Sequence, residues 1–346
     1  MKLRTILLSL LVLGVLSVLG AYAWIGIQMQ KPLSHDKTNE AIIIEPGTAQ
    51  VRVVEQLAQA GILHHPLAVK LYLRFWADRH LQAGTYQFDS PISALDVLDQ
   101  LEEGHNPTQR ITIPEGWTRF EIAARIAARF PTQPPTTEQD VLQLLNDARL
   151  IADFDSTADN LEGYLYPTTY EFEQGTTPEQ VVARMLTEFR RQWQPEWDQR
   201  AAELGRSRRE IVTIASLIEN ESKIEAERPL IASVIYNRLR LGIPLGIDAT
   251  NVYIAKMLGR WDGILHKSDL EIAHPYNTRQ IIGLPPGPIS SASKSALRAA
   301  LYPDTTDYLY YVLDVDKNDG SHGFYETAAG FNRAKAKYQQ WLARQR

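Results

Sequence analysis

Not one cysteine occurs in the 346 residues. Disulfides, thiolate metal sites and cysteine nucleophiles are excluded, and an exported chain of this kind is held together by packing alone. A basic excess is missing too: 36 Lys and Arg face 41 Asp and Glu, and the net charge of −5 speaks against a general nucleic-acid binder. The eight histidines are scattered, with neither a His-x-x-x-His pair nor zinc spacing. Phosphate loops, dinucleotide fingerprints and G-x-S-x-G elbows are absent as well. Metal, cofactor and nucleotide chemistry therefore have no support. Residues 314–320 imitate a calcium loop, yet the glycine falls one place late and Tyr325 holds the position of the bidentate glutamate. They read as a polar turn.

What remains is an ordinary globular composition, 44% hydrophobic and 22% charged, on a chain long enough for two or three domains. The N-terminus stands out. Lys2 and Arg4 precede an uncharged stretch over 5–30 whose core, 6–18, is almost purely apolar. Roughly 20 apolar residues span a bilayer as a helix, and the leading charges keep the short N-terminus cytoplasmic. A single-pass anchor is predicted. Ala21-Tyr22-Ala23 also offers a small-x-small site for a signal peptidase. Apolar character continuing through Trp24, Ile25 and Ile27 favours the anchor, and either reading exports the rest of the chain.

Residues 31–40 are polar and aperiodic, as a tether would be. A strand at 42–44, a helix over 51–60, a helix opened by Pro66 and a strand at 83–88 come next. That order is the order of a small LysM-like βααβ module, which elsewhere contacts glycans; a packing or spacer domain fits the pattern as well. A short helix over 93–101 ends near Gly104. Strand 111–113, the Pro114-Glu115-Gly116 turn and helix 120–130 then echo the strand, turn and helix that begin at 42. Helices over 141–150 and 178–193 flank an aromatic stretch, 161–172, suited either to sugar stacking or to a core. Pro229 opens a helix that Gly242 stops, Asp248 enters another, and Ser268-Asp269-Leu270-Glu271 has the form of a capping box. Gly283-Leu284-Pro285-Pro286-Gly287-Pro288 is a stiff loop. Helix 291–301, strand 308–315 and helix 326–342 complete the chain.

One stretch, 209–223, organises the rest. Ile211, Val212, Ile214, Ala215, Leu217 and Ile218 cover nearly the whole helix circumference, so this helix belongs inside a domain. Glu219 and Glu221 come next on opposite flanks of the Ile211/Ala215/Ile218 stripe, so a single cleft readily receives only one of them. Burial at such a helix end disfavours the ionised carboxyl, which is what a general acid needs at neutral pH. The competing reading, solvated acids at a helix end, has the dipole against it but is common.

Around this helix stand, in order, Ala215-Ser216-Leu217-Ile218-Glu219-Asn220-Glu221, Glu227-Arg228, Val234-Ile235-Tyr236-Asn237-Arg238-Leu239, Pro244-Leu245, Asp248-Ala249-Thr250, Tyr276-Asn277-Thr278 and the loop 283–288. These motifs resemble the MltG/YceG family of membrane-anchored endolytic murein transglycosylases. Segments 113–118 and 161–167 look like family segments too, so the likeness covers roughly residues 41 to 342 and the anchor. It implies cleavage of MurNAc–GlcNAc bonds within glycan strands to leave 1,6-anhydro-MurNAc ends, without cofactor or metal. Glu219 matches the catalytic glutamate, acting first as acid and then as base. Glu221 is placed to tune it and, with Asn237, Arg238, Asp248, Tyr276 and Asn277, is a candidate to bind substrate, with Arg240 and Arg279 adding basic lining for peptide carboxylates. Gly246, Ala249, Thr168 and Phe331 depart from the usual glutamine, proline, aspartate and histidine.

Together these readings predict an α+β protein. Its parts are a cytoplasmic tip and transmembrane anchor (1–28), a tether (29–40), the LysM-like module (41–106), a connecting α/β segment (107–200) and a mixed α/β catalytic domain (201–346). Implied partners are peptidoglycan strands, the membrane and wall synthases of the penicillin-binding class, with the bulk of the chain on the periplasmic or extracytoplasmic side of the cell membrane. A muramidase-type hydrolase leaving reducing ends and a non-catalytic wall-binding scaffold are the competing functions.

Overall fold

The computed structural model describes residues 2–38, 40–77, 79–104, 108–173, 175–317 and 319–345. The side chains of Lys2 and Arg4, the module boundary at 106 and Asn318 of the polar turn lie outside the described residues. The chain forms two compact units, Met1–Gln109 and Arg110–Arg346.

In the first unit the apolar run is one uninterrupted helix, α1 (Lys2–Gln30). Its side chains over 10–19 are exposed, whereas Ile25 and Met29 are 4% and 1% exposed and belong to the core of the unit. β1 (Ile42–Ile44), α2 (Gln50–Gln59), α3 (Pro66–Phe75) and β2 (Gly84–Tyr86) follow in the predicted order, with β1 and β2 antiparallel and Ile43 opposite Thr85. α4 (Ala94–Glu103) starts where the Ser93 hydroxyl accepts from the Asp96 N–H at 3.1 Å and stops at Gly104 in the left-handed region. Val53, Val54, Leu57, Val97, Leu98 and Leu101 supply the buried faces of α2 and α4. The segment expected as a tether is tied down instead. Leu33 bridges to Ile92 and the His35 N–H donates to Ser90 Oγ at 2.9 Å. Polar composition does not report backbone pairing, which is what holds it.

The second unit holds most of the helices. β3 (Thr108–Thr112) pairs with β4 (Thr169–Glu173); between them lie α5 (Arg119–Arg129), α6 (Glu138–Leu145) and a 3₁₀ turn, Ala148–Ile151. The single helix predicted over 141–150 is thus broken, because the Asp147 side chain accepts from the Arg149 N–H and caps the turn. α7 (Pro178–Gln192), α8 (Glu196–Glu203), α9 (Arg208–Glu221), α10 (Arg228–Leu241), α11 (Asp248–Met257), α12 (Lys267–Leu270) and α13 (Lys294–Leu301) come next. α12 is capped by His266 with Asp269, two residues ahead of the box read from sequence. An antiparallel hairpin, β5 (Tyr310–Leu313) and β6 (His322–Tyr325), precedes α14 (Ala328–Gln345).

One hydrophobic cluster runs from Ile111 to Leu301. Residues 107–200 and 201–346 therefore share a core. Its centre is α9, whose residues from Ile211 to Ile218 are all buried, with α8, α10, α11 and α13 packed around it. Neighbours on every side are what an all-round apolar helix requires. Strands occur only as two-stranded pairs among the described residues, an α+β arrangement dominated by helix.

Candidate active site

The start of α9 is fixed by a capping box. Ser207 Oγ accepts from the Glu210 N–H at 3.2 Å, and Glu210 Oε2 accepts from the Ser207 N–H at 2.8 Å. The end of α9 carries Glu219, Asn220 and Glu221 out of the core. Two loops run beside it and hold each other. The Gly116 N–H donates to the Ser291 carbonyl and the Ser291 N–H to the Trp117 carbonyl, both at 2.8 Å. The Ile289 N–H donates to Ser216 Oγ at 3.1 Å, and Asn220 Nδ2 to Ser290 Oγ at 2.8 Å. Gly116 turns at φ 75°, a conformation that favours glycine, and so delivers the preceding Glu115 to the end of α9. The aromatic segment joins in at Gly163, also left-handed, where a side chain would run into Pro288.

Glu219 is the best-held carboxylate of the group. Its side chain is 5% exposed. Oε1 accepts from Arg228 Nη2 at 2.8 Å; Oε2 accepts from the Ser293 N–H at 2.9 Å and from Ser293 Oγ at 2.5 Å. Ser293 is the N-cap of α13, so the carboxylate also faces the positive end of that helix. Arg228 is itself buried and donates to Ser293 Oγ as well. The same Nη2 stands 4.0 Å from Glu115 Oε2, and Glu115 is 54% exposed. Burial and the neighbouring charge of Glu219 push the Glu115 carboxyl above the usual carboxylate range, against the pull of Arg228.

Glu221 has different partners, as its opposite flank predicts. Oε2 accepts from the Tyr311 hydroxyl at 2.6 Å, and burial raises its pKa, with Asp248 adding like charge. It lines a cavity of about 320 Å³ together with Gly116, Asn220, Asp248 and Ala249. Asp248 is half-exposed there and paired with Arg279 at 2.5 Å. The other grouped residues have structural tasks. Asn237 Nδ2 donates to the Thr306 and Tyr308 carbonyls, and its Oδ1 accepts from Arg240 at 3.2 Å. Arg238 donates to the Leu309 and Leu245 carbonyls. Buried Asn277 donates to the Leu270 and Ile272 carbonyls. Tyr276 packs its ring 5.1 Å from that of Tyr253, and burial lifts its hydroxyl to about 12. The structure thus brings Glu221 and Asp248 to one cavity, holds Glu219 on the other flank of the same helix end, and uses Asn237, Arg238 and Asn277 to brace backbone.

Sequence reasoning missed three participants: Glu115, Arg228 and Ser293. Arg228 left a readable trace. A cation in the first turn of a helix opposes the helix dipole, which signals that the side chain serves something outside its own helix.

The YceG-like family model matches residues 42–337. The chain belongs to the YceG-like family. A protein of Bacillus subtilis strain 168 named endolytic murein transglycosylase is 33% identical over 335 residues, covering 92% of this chain and 90% of its own. A protein of the same name from Streptococcus pneumoniae serotype 2, strain D39, is 28% identical over 329 residues; the match covers 87% of this chain and 60% of that one. Among solved structures, a 2.6 Å crystal structure of a YceG-like protein from Listeria monocytogenes aligns with a TM-score of 0.58 at 29% identity, covering 85% of this chain and 97% of its own.

Proposed function

We propose that this chain is a membrane-anchored endolytic murein transglycosylase that cleaves MurNAc–GlcNAc bonds inside glycan strands and leaves 1,6-anhydro-MurNAc ends. The observation that carries the reading is Glu219: a buried carboxylate at the rim of the unit, oriented by Arg228 and Ser293 and flanked by Glu115. Protonated, Glu219 gives its proton to the bridging oxygen as the MurNAc C1–O bond breaks. The substrate's N-acetyl oxygen closes on C1 in place of an enzyme nucleophile, as substrate-assisted glycosidases allow. The Glu219 carboxylate then takes the proton of the C6 hydroxyl; O6 displaces the acetamido oxygen at C1, and the anhydro ring closes. Atoms balance without water.

Arg228 and Ser293 suit the base half of this cycle, since both stabilise a carboxylate. The acid half needs a proton, and Glu115 is placed to supply one. Burial and the neighbouring Glu219 carboxyl raise the Glu115 carboxyl above its usual range, so Glu115 holds its own proton to higher pH. Asp248 and Glu221 line the adjoining cavity, where sugar hydroxyls and amides would find acceptors. The α1 helix is long and apolar enough to cross a membrane. Its continuity past Ala23 into a packed core supports an uncleaved anchor. The βααβ order of the first unit fits glycan recruitment by a LysM-like module, and penicillin-binding wall synthases would supply nascent strands.

Mass spectrometry of purified wall digested by the full chain tests the reading. Anhydro ends are expected; reducing ends would replace it with a muramidase, and intact strands with a wall-binding scaffold.

A further inference from the structure

The anchor helix is longer than a bilayer needs, and the surplus is not free. At 1.5 Å per residue, the 29 residues of α1 reach about 43 Å, against about 30 Å of hydrocarbon. Exposure along the helix shows where the surplus lies. Leu13, Leu16 and Leu19 are open, while Ile25 and Met29 are sealed into the core of the first unit against α3 and α4. The hydrocarbon must therefore end between those groups, close to Tyr22 and Trp24. These are the residue types that settle at headgroup level.

Tyr22 does not stand there alone. Its ring meets Trp76, at the C-cap of α3, edge to face at 5.6 Å. Phe75 lies 5.8 Å from Trp76 and is 64% exposed; Trp76 is 46% exposed. Leu67, one face with Leu71 and Phe75 at i, i+4 and i+8, is open as well. The Arg74 guanidinium sits 5.8 Å from the Phe75 ring centroid, so a cation accompanies the aromatics. An exposed apolar edge of this kind on a soluble domain marks a contact surface.

We infer that the Phe75–Trp76 end of α3 is a membrane-seating surface. It enters the headgroup and acyl boundary of the same bilayer that α1 spans, with Arg74 reaching to lipid phosphate. Continuity names the occupant: the patch touches the spanning helix at the level where that helix leaves the hydrocarbon, so lipid is already beside it. The inference rests on the anchor reading and adds a second, peripheral contact to it.

The absence of cysteine makes the test direct. Full-length L16C, F75C and Q199C variants are spin-labelled and reconstituted in phosphatidylethanolamine/phosphatidylglycerol vesicles. Relaxation by oxygen, which concentrates in lipid, is compared with relaxation by a water-soluble nickel chelate. Positions 16 and 75 should show oxygen-to-nickel ratios severalfold above that of 199, with 75 the shallower. If 75 behaves like 199 while 16 remains in lipid, the anchor stands and the seating surface is wrong. If 75 is shielded from both reagents, protein covers the patch and the inference fails. If 16 is itself aqueous, the anchor reading falls and this one with it.

Discussion

At the scale of single residues, the proposed mechanism places the chemistry on Glu219, beside Arg228, Ser293 and Glu115. Glu219→Gln keeps the shape but cannot deliver a proton, and its amide nitrogen cannot accept from Arg228 or Ser293. Turnover of wall strands should fall roughly 100-fold or more, measured on protein shown to be folded, and the melting temperature should fall as well because Arg228 loses its buried partner. Glu221→Gln should cost less, because that side chain answers to Tyr311 rather than to Arg228. Glu115→Gln makes a sharper prediction. Burial and the neighbouring Glu219 carboxyl push its carboxyl above the usual range. If that proton serves the proposed cycle, removing Glu115 should alter the alkaline limb of the pH–kcat/KM profile; an unmoved limb would show that the Glu115 proton has no part in it. Glu219 was legible in sequence because an all-round apolar helix that ends in a carboxylate is an unusual pattern. Ser293 was not, since it reaches Glu219 from 74 residues away. Spacing could not show that Asn237, Arg238 and Asn277 each hold backbone carbonyls.

Among the elements, the segment around Glu162 and Gly163 joins α5 to the 283–288 loop. The Arg119 N–H donates to both oxygens of the Glu162 carboxylate at 3.1 Å, at the start of α5. Burial nevertheless raises its pKa to about 7, from an ordinary value of 4.5. A carboxyl raised in the folded state binds a proton that the unfolded chain has already lost. Its stabilising contribution is therefore full below about 4.5 and lost as pH rises towards 7. Melting temperature should fall across that window, and Glu162→Gln should flatten the slope in thermal melts at several pH values. Gly163→Ala should destabilise the unit by about 1–3 kcal/mol, since the left-handed backbone and Pro288 both oppose a side chain. Denaturant titration measures it. The helices with caps and clear apolar stripes were predictable to within a few residues. α8 was not, for its sequence EWDQRAAE is mostly polar. β6 was hidden too: its strand HGFY carries a glycine, and its place is set by distant partners, the His322 N–H donating to Glu227 Oε1 at 2.6 Å.

For the whole molecule, the anchor reading predicts that the full-length protein stays with the membrane through an alkaline wash, as immunoblotting of the pellet would show. A mature N-terminus at Trp24 would instead show signal cleavage. The two-unit division was only partly visible beforehand: the strand–helix–helix–strand order marks the first unit, but nothing in the spacing reveals that 107–200 and 201–346 share the cluster from Ile111 to Leu301.

The burial of Ile25 and Met29 has a mechanical consequence. A helix that is free at its membrane exit answers a thicker or thinner bilayer by leaning, and whatever hangs from it stays indifferent. On the anchor reading the exit is welded into a folded core, so each degree of lean is passed to the first unit. Lipid thickness would thereby become an input to the angle at which that unit stands on the membrane. A helix lengthened by one turn below Leu16 would change that angle without touching a residue of the unit itself.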